Sequence, residues 1–139
     1  MKNLKSLTLI GLFAISLALV TSCNKDDDPF ARVTIEETGS DLGGDVTGNG
    51  GSTSESYVWN NSLASANWNM DITATNGGSF RLIIEDAEGA IVLDRILTAG
   101  EGEDTADGVT DLGTAGEWTI RVTLTDFNGD GSFSTSPGD

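Results

Sequence analysis

The chain has 139 residues, and 22 acidic against 7 basic side chains give it a formal charge of −15. This balance argues against a nucleic-acid partner, which needs a basic footprint, and against charge-driven docking on anionic lipid. There is no histidine, so no Ser-His or Cys-His nucleophile pair can be built, and the length predicts one compact domain.

Residues 1–6 are basic, with Lys2 and Lys5 and no acid. Residues 7–20 form an almost uninterrupted apolar run of about 14 residues. That length suits a signal-peptide core and falls short of the ~20 needed to cross a bilayer as a helix. Val20, Thr21 and Ser22 then lead to Cys23, the only thiol. An aliphatic residue, two small ones and a cysteine resemble the lipobox of signal peptidase II substrates. The resemblance implies cleavage before Cys23 and acyl chains on its sulfur, making a membrane the first partner. A lone thiol has no disulfide partner and does not argue for a reducing compartment.

Asn24-Lys25-Asp26-Asp27-Asp28-Pro29 comes next. It resembles the acidic export signal of Bacteroidota surface lipoproteins, with Lys25, Asp26, Asp27 and Asp28 in the signal positions. The resemblance implies a lipid anchor in the outer membrane facing the cell exterior. The plainer reading is a charged, hydrated tether. In both readings the hydrated stretch keeps the fold off the membrane, and several acyl chains on one residue hold it there stably. The expected organisation is a signal peptide over 1–22, an acylated acidic tether over 23–30 and a folded domain over 31–139.

The folded part is rich in Gly, Thr, Ser, Asp and Asn, and shows no sustained helical period. Residues 31–36 and 55–60 read as outer strands. Trp68, Met70, Ile72 and Ala74 alternate with Asn69, Asp71, Thr73 and Thr75, so residues 68–75 predict a strand with one buried face. Asn76-Gly77-Gly78 signals a turn before a strand over 79–85. Asp86-Ala87-Glu88-Gly89 signals another before a strand over 90–97. Trp118, Ile120, Val122 and Leu124 alternate with Thr119, Arg121, Thr123 and Thr125, predicting a strand over 118–125. A last short strand is predicted over 132–135. Seven short strands with turns between them point to an all-β fold, a single antiparallel β-sandwich of the jelly-roll or Ig-like kind. Two long connections stand out: a Gly/Ser-rich loop at 38–54, read as a flexible linker that leaves the first strand semi-detached, and an acidic one over 99–116.

Phe80-Arg81-Leu82-Ile83-Ile84-Glu85-Asp86-Ala87-Glu88-Gly89 and Gly116-Glu117-Trp118-Thr119-Ile120-Arg121-Val122 resemble the small sandwich domains of secreted bacterial proteins, including the prepeptidase C-terminal type. That resemblance covers about half the chain. It implies an accessory domain that adheres, targets or stabilises, with no catalytic residue to carry over.

Three candidate sites follow from the residues of the folded part. Asp126, Asn128 and Asp130 lie in a D-x-N-x-D-G run, the first half of a calcium loop, with oxygen ligands at alternate positions and glycine for the bend. Pro137 stands where an EF-hand loop needs its bidentate acid, so a hairpin turn competes with Ca2+ binding. Trp59, followed by Asn60 and Asn61, is the tryptophan placed to stack on a sugar ring, whereas Trp68 and Trp118 read as core. Thr105, in Asp104-Thr105-Ala106, matches an O-glycosylation acceptor pattern of Bacteroidota. A carboxylate pair for glycoside hydrolysis is compatible with the composition, but a sandwich of this size seldom holds the cleft, and the chain reads as non-enzymatic. The expected function is a surface-displayed lipoprotein acting as an adhesion, accessory or structural module, with an unidentified protein or polysaccharide partner. The alternatives are a glycan-binding module of a polysaccharide-capture system and a calcium-stabilised structural module.

Overall fold

A computed structural model describes residues 28–100 and 104–138 of the chain. Cys23, Lys25, Asp26 and Asp27 lie outside the described residues, and Asp28 is exposed. Seven strands form in chain order: β1 (Ala31–Thr38), β2 (Asp41–Asn61), β3 (Ala66–Ala74), β4 (Ser79–Glu85), β5 (Ile91–Thr98), β6 (Thr105–Val109) and β7 (Gly116–Pro137). Every pairing is antiparallel and all seven belong to one hydrogen-bonded sheet, in the order β1-β2-β7-β3-β6, with β4 joined to β7 and β5 to β4.

The sheet closes over itself because two strands are far longer than the usual ~3–10 residues. β2 has 21 residues and β7 has 22. The first part of β2 pairs with β1 and with residues 127–135 of β7, and residues 129–137 of β7 in turn pair with β3. The second part of β2 pairs with residues 116–124 of β7, which pair with β4. Two half-sheets therefore share β2 and β7, and their apolar faces meet in one core. Leu42, Val46, Met70, Ile72 and Phe133 enter it from the β3 half. Phe80, Leu82, Ile84, Trp118, Ile120, Val122 and Leu124 enter from the β4 half. Phe80 and Phe133 touch across the layers, with ring centroids 6.1 Å apart.

The corner between the halves is visible in the side-chain phase. In β7, Trp118, Ile120, Val122 and Leu124 are buried, all at even positions; beyond Asp126 the buried residues are Phe127, Phe133 and Thr135, all odd. In β2, Leu42 and Val46 are buried at even positions, then Gly51, Trp59 and Asn61 at odd ones. Each strand inserts a bulge at the corner, and one extra residue swaps the faces of a strand. Gly50 (φ 104°) supplies the bulge in β2 and Asp126 (φ 44°) the one in β7, where the pairing register shifts between Asn49 and Thr53. Ser52 Oγ accepts the Asp126 backbone N–H at 2.8 Å, and the Thr75 N–H donates to the Asn128 carbonyl at 2.8 Å. The chain enters at the same corner, where the Phe30 carbonyl accepts from Asn49 N–H (3.0 Å) and Gly51 N–H (3.2 Å).

Three sequence expectations are corrected here. Residues 38–54 are not a flexible linker: from Asp41 onward they are strand β2, and β1 is paired along its whole length with Asp41 to Gly48. Residues 126–131 are not a turn, because they run through the middle of β7, which merges the predicted strands 118–125 and 132–135 into one. A Cβ on Gly129 or Gly131 would strike the carbonyl oxygens of Thr73 and Asp71. Those glycines allow close backbone approach, and they mimic turn punctuation in sequence. The acidic connection 99–116 carries the extra strand β6 at the sheet edge.

Candidate recognition grooves

The outer face of the β3 half is polar on every strand apart from the exposed Val109 at the end of β6. Directly paired residues set out its rows. Glu36, Gly43, Ser134, Asn69 and Asp107 form one row across β1, β2, β7, β3 and β6. Thr34, Asp45, Ser132, Asp71 and Thr105 form the next. Neighbouring strands are about 4.8 Å apart, and successive same-face residues about 6.8 Å. Gly43 is the gap in this surface. Lacking a side chain, it floors a groove of about 310 Å3 lined by Glu36, Thr38, Asp41, Asp45, Asn69, Ser132 and Ser134 among others. Glu36, Asp45, Asn69, Ser132 and Ser134 make no side-chain hydrogen bond or ion pair with a described residue.

A second groove, of about 290 Å3, lies beyond the tip of the β1–β2 hairpin. Glu37, Ser40, Asp41, Val58, Trp59 and Asn60 line it. Asp41 borders both grooves.

Trp59 does not form the expected stacking platform. It is 5 % exposed, and its ring packs edge-on against Trp118 with centroids 6.0 Å apart and planes at 87°. Its Nε1–H donates to the Ser40 carbonyl at 2.8 Å, which binds the hairpin tip to the end of β2. An edge-to-face aromatic pair with a satisfied N–H is a packing element, with no face left for a sugar ring. Asn61 is fully buried; its Nδ2 donates to the Ser65 carbonyl and its Oδ1 accepts from Leu63 N–H, so it shapes the β2–β3 turn. Asn60 is exposed on the groove wall. Trp68 and Trp118 are core residues. Trp118 donates to the Thr114 carbonyl at 2.7 Å, while Trp68 Nε1 is the buried side-chain polar atom without a partner among the described residues. The Arg95 guanidinium lies over the Trp68 ring, 6.0 Å from its centroid.

Asp126, Asn128 and Asp130 occupy strand positions, not a loop that wraps an ion. Asn128 Oδ1 accepts from Thr75 Oγ1 at 3.4 Å, Asp126 Oδ1 from Ser52 Oγ at 3.5 Å, and Asp130 points outward between Thr47 and Thr73. Among the described residues no three Asp, Glu, His or Cys side chains are gathered to hold a metal ion. Thr105 is exposed at the start of edge strand β6, and its Oγ1 donates to Asp71 Oδ1 at 3.1 Å.

The carboxylate that organises the most backbone is Asp86. It is 5 % exposed, and it accepts N–H groups from Glu88 (3.0 Å), Ala90 (2.8 Å) and Thr114 (2.7 Å). These bonds, led by the one from Thr114, hold its carboxyl below the usual carboxylate range. They join the β4–β5 turn to the segment entering β7. Sequence reading identified the turn but not this role, because Thr114 lies 28 residues away. Outside the core, Arg81 and Asp94 pair across β4 and β5 at 2.8 and 2.7 Å, and the hydrogen bonds from Arg81 lower the Asp94 carboxyl. On β2 the Tyr57 hydroxyl is pushed up, by burial first and by Glu55 second.

The groove residues Glu36, Gly43, Asp45, Asn69, Ser132 and Ser134 are absent from the sequence-derived candidates. Their signal in sequence is the Gly/Asp/Ser composition of 38–54 and 132–134 for Gly43, Asp45, Ser132 and Ser134 and a place in the predicted strands 31–36 and 68–75 for Glu36 and Asn69, and cross-strand register is what brings them together. No protein-family model and no curated protein sequence matches the chain.

Proposed function

We propose that this protein is a non-enzymatic lipoprotein, anchored in the outer membrane through acyl chains on Cys23 and displayed at the cell surface as an adhesion or accessory module. The observation that carries this reading is the run Val20-Thr21-Ser22-Cys23 after a short apolar core, followed by Lys25-Asp26-Asp27-Asp28. The all-β fold is consistent with it. Phe30, where the chain joins the corner of the sheet, is seven residues on from Cys23, so an anchor on Cys23 keeps that corner within about 25 Å of the membrane. An acceptor at Thr105 fits the same reading, since an exposed hydroxyl on an edge strand is open to a modifying enzyme. The absence of histidine supports a binding role over nucleophilic catalysis, and on this reading the only thiol, Cys23, is acylated and unavailable as a nucleophile.

Two experiments test the anchor. Cys23→Ser abolishes incorporation of radiolabelled fatty acid; labelling that persists refutes the lipobox. Replacing Asp26, Asp27 and Asp28 by Ala protects the protein from protease added to whole cells, and unchanged digestion removes the export role.

A further inference from the structure

We propose that the groove over Gly43 binds a neutral polyhydroxylated ligand, a sugar residue of a glycan. This deepens the surface-module reading, which contributes only access to such a ligand; the binding itself is independent of display. Three features support it.

The first is shape. A strand position without a side chain leaves a depression in an otherwise continuous polar face, and its volume of about 310 Å3 falls at the low end of small-molecule sites, roughly 300–1,000 Å3. Gly43 does not need to be glycine for its backbone conformation, since its φ is not in the positive range. A Cβ would sit 3.0 Å from the Phe133 carbonyl and 3.5 Å from Ser134 Cβ, filling the floor of the depression.

The second is chemistry. The walls supply carboxylates from Glu36, Asp41 and Asp45, hydroxyls from Thr38, Ser132 and Ser134, and the amide of Asn69. Ionised carboxylates only accept, hydroxyls do both, and an amide offers two donors and one acceptor oxygen. Alcohol groups on a ligand, each donor and acceptor at once, satisfy that mixed set together. Three carboxylates repel an acidic sugar. The acids are spaced along and across strands and are not gathered for one metal ion. Five of them, Glu36, Asp45, Asn69, Ser132 and Ser134, make no side-chain hydrogen bond or ion pair with a described residue, so their polar atoms are free for a ligand.

The third is placement. Gly43 lies five residues along β2 from Gly48, roughly 16 Å, on the side away from the corner where Phe30 enters. The groove thus lies on the outer sheet face near the end of β2 remote from the corner where Phe30 enters.

The test uses the full chain with its anchor, in a polyoxyethylene detergent so that no glycosidic head group competes. Backbone and side-chain amide shifts are followed during titration with cellotriose, maltotriose, mannotriose and xylotriose, with trigalacturonate and spermidine as charged comparators. Saturable shifts at Gly43 and Asn69 with at least one neutral trisaccharide, and none with trigalacturonate, are expected. Gly43→Thr abolishes them; its Cβ crowds the Phe133 carbonyl, so the variant melts earlier but still folds. Asn69→Ala, at an exposed position, weakens binding by roughly tenfold, as expected for the loss of one or two ligand hydrogen bonds. Should Gly43→Thr misfold, Asn69→Ala carries the decision. The proposal is overturned if none of the four trisaccharides binds, if spermidine alone binds, or if binding survives in Asn69→Ala and in a folded Gly43→Thr. Fatty-acid labelling is unaffected by these outcomes, so failure here leaves the anchor reading standing.

Discussion

Asp86 illustrates how much one side chain can organise. Its two oxygens receive three backbone N–H groups, from Glu88, Ala90 and Thr114. A carboxylate meets that demand because it only accepts; an amide would present N–H against N–H at one oxygen position. Its lowered pKa fixes the sign of the acid dependence. The stabilisation is fully present above the unfolded-state value, near 3.9, and is lost as pH falls through the lower folded value. Asp86→Asn is therefore expected to melt earlier at pH 7, with the gap to the parent closing below about pH 4. Thermal melts from pH 7 to pH 2 check this, and a gap that stays constant refutes the role of the charge. Trp59 belongs to the same scale. Trp59→Phe keeps an aromatic ring but loses the bond to Ser40 and part of the buried indole, and should cost more in urea unfolding than the ~0.5–1.5 kcal/mol of the hydrogen bond alone. No loss would mean that the hairpin tip does not depend on that bond.

At the scale of the element, the corner in β2 and β7 decides the fold. Alternation over 118–124 and over 68–74 is clean enough to identify strands and their buried faces from sequence alone. The phase change at Asp126 is not, because Asp-Phe-Asn-Gly-Asp-Gly carries the composition of a turn. Inserting one Ala after Asp126 should be far worse than changing Asp126. The insertion turns Phe127 and Phe133 outward and Asn128, Asp130, Ser132 and Ser134 into the core, so the variant should not fold. Asp126→Gly, which suits a φ of 44°, should fold and melt within a few degrees of the parent. Circular dichroism and gel filtration on both variants test this, and an insertion variant that folds like the parent would refute the fixed phase of β7 beyond the bulge. The edges of the β4 half follow the same logic. Glu55 on β2 and Arg95 on β5 occupy inward positions opposite Val122 and Leu82, yet both are exposed. Inward charge on an edge strand blocks a further strand from pairing there.

For the whole molecule, charge and connectivity matter most. A net charge of −15 works against the compact state through self-repulsion. Raising sodium chloride from about 0.01 M to about 0.5 M shortens the screening length and should raise the melting temperature, even though it weakens the exposed Arg81–Asp94 pair. A fall with salt would mean that paired charges outweigh repulsion. Connectivity is non-local: Leu42 pairs with Thr135, and the Thr135 hydroxyl donates to the Leu42 carbonyl at 3.1 Å across 93 residues.

By itself the sequence determined the all-β class, most of the strands, the burial of Trp68 and Trp118, and the resemblance to a lipoprotein leader. Those features are local, written in period-two alternation or in contiguous motifs. The tertiary structure decided that 38–54 is strand, that one sheet folds over on two long strands, that Trp59 packs against Trp118, and that Gly43 floors a groove. Each of these depends on which residues face one another across strands. Residues 36, 43, 69 and 134 become neighbours only through register, and register is set by bulges that sequence composition presents as turns.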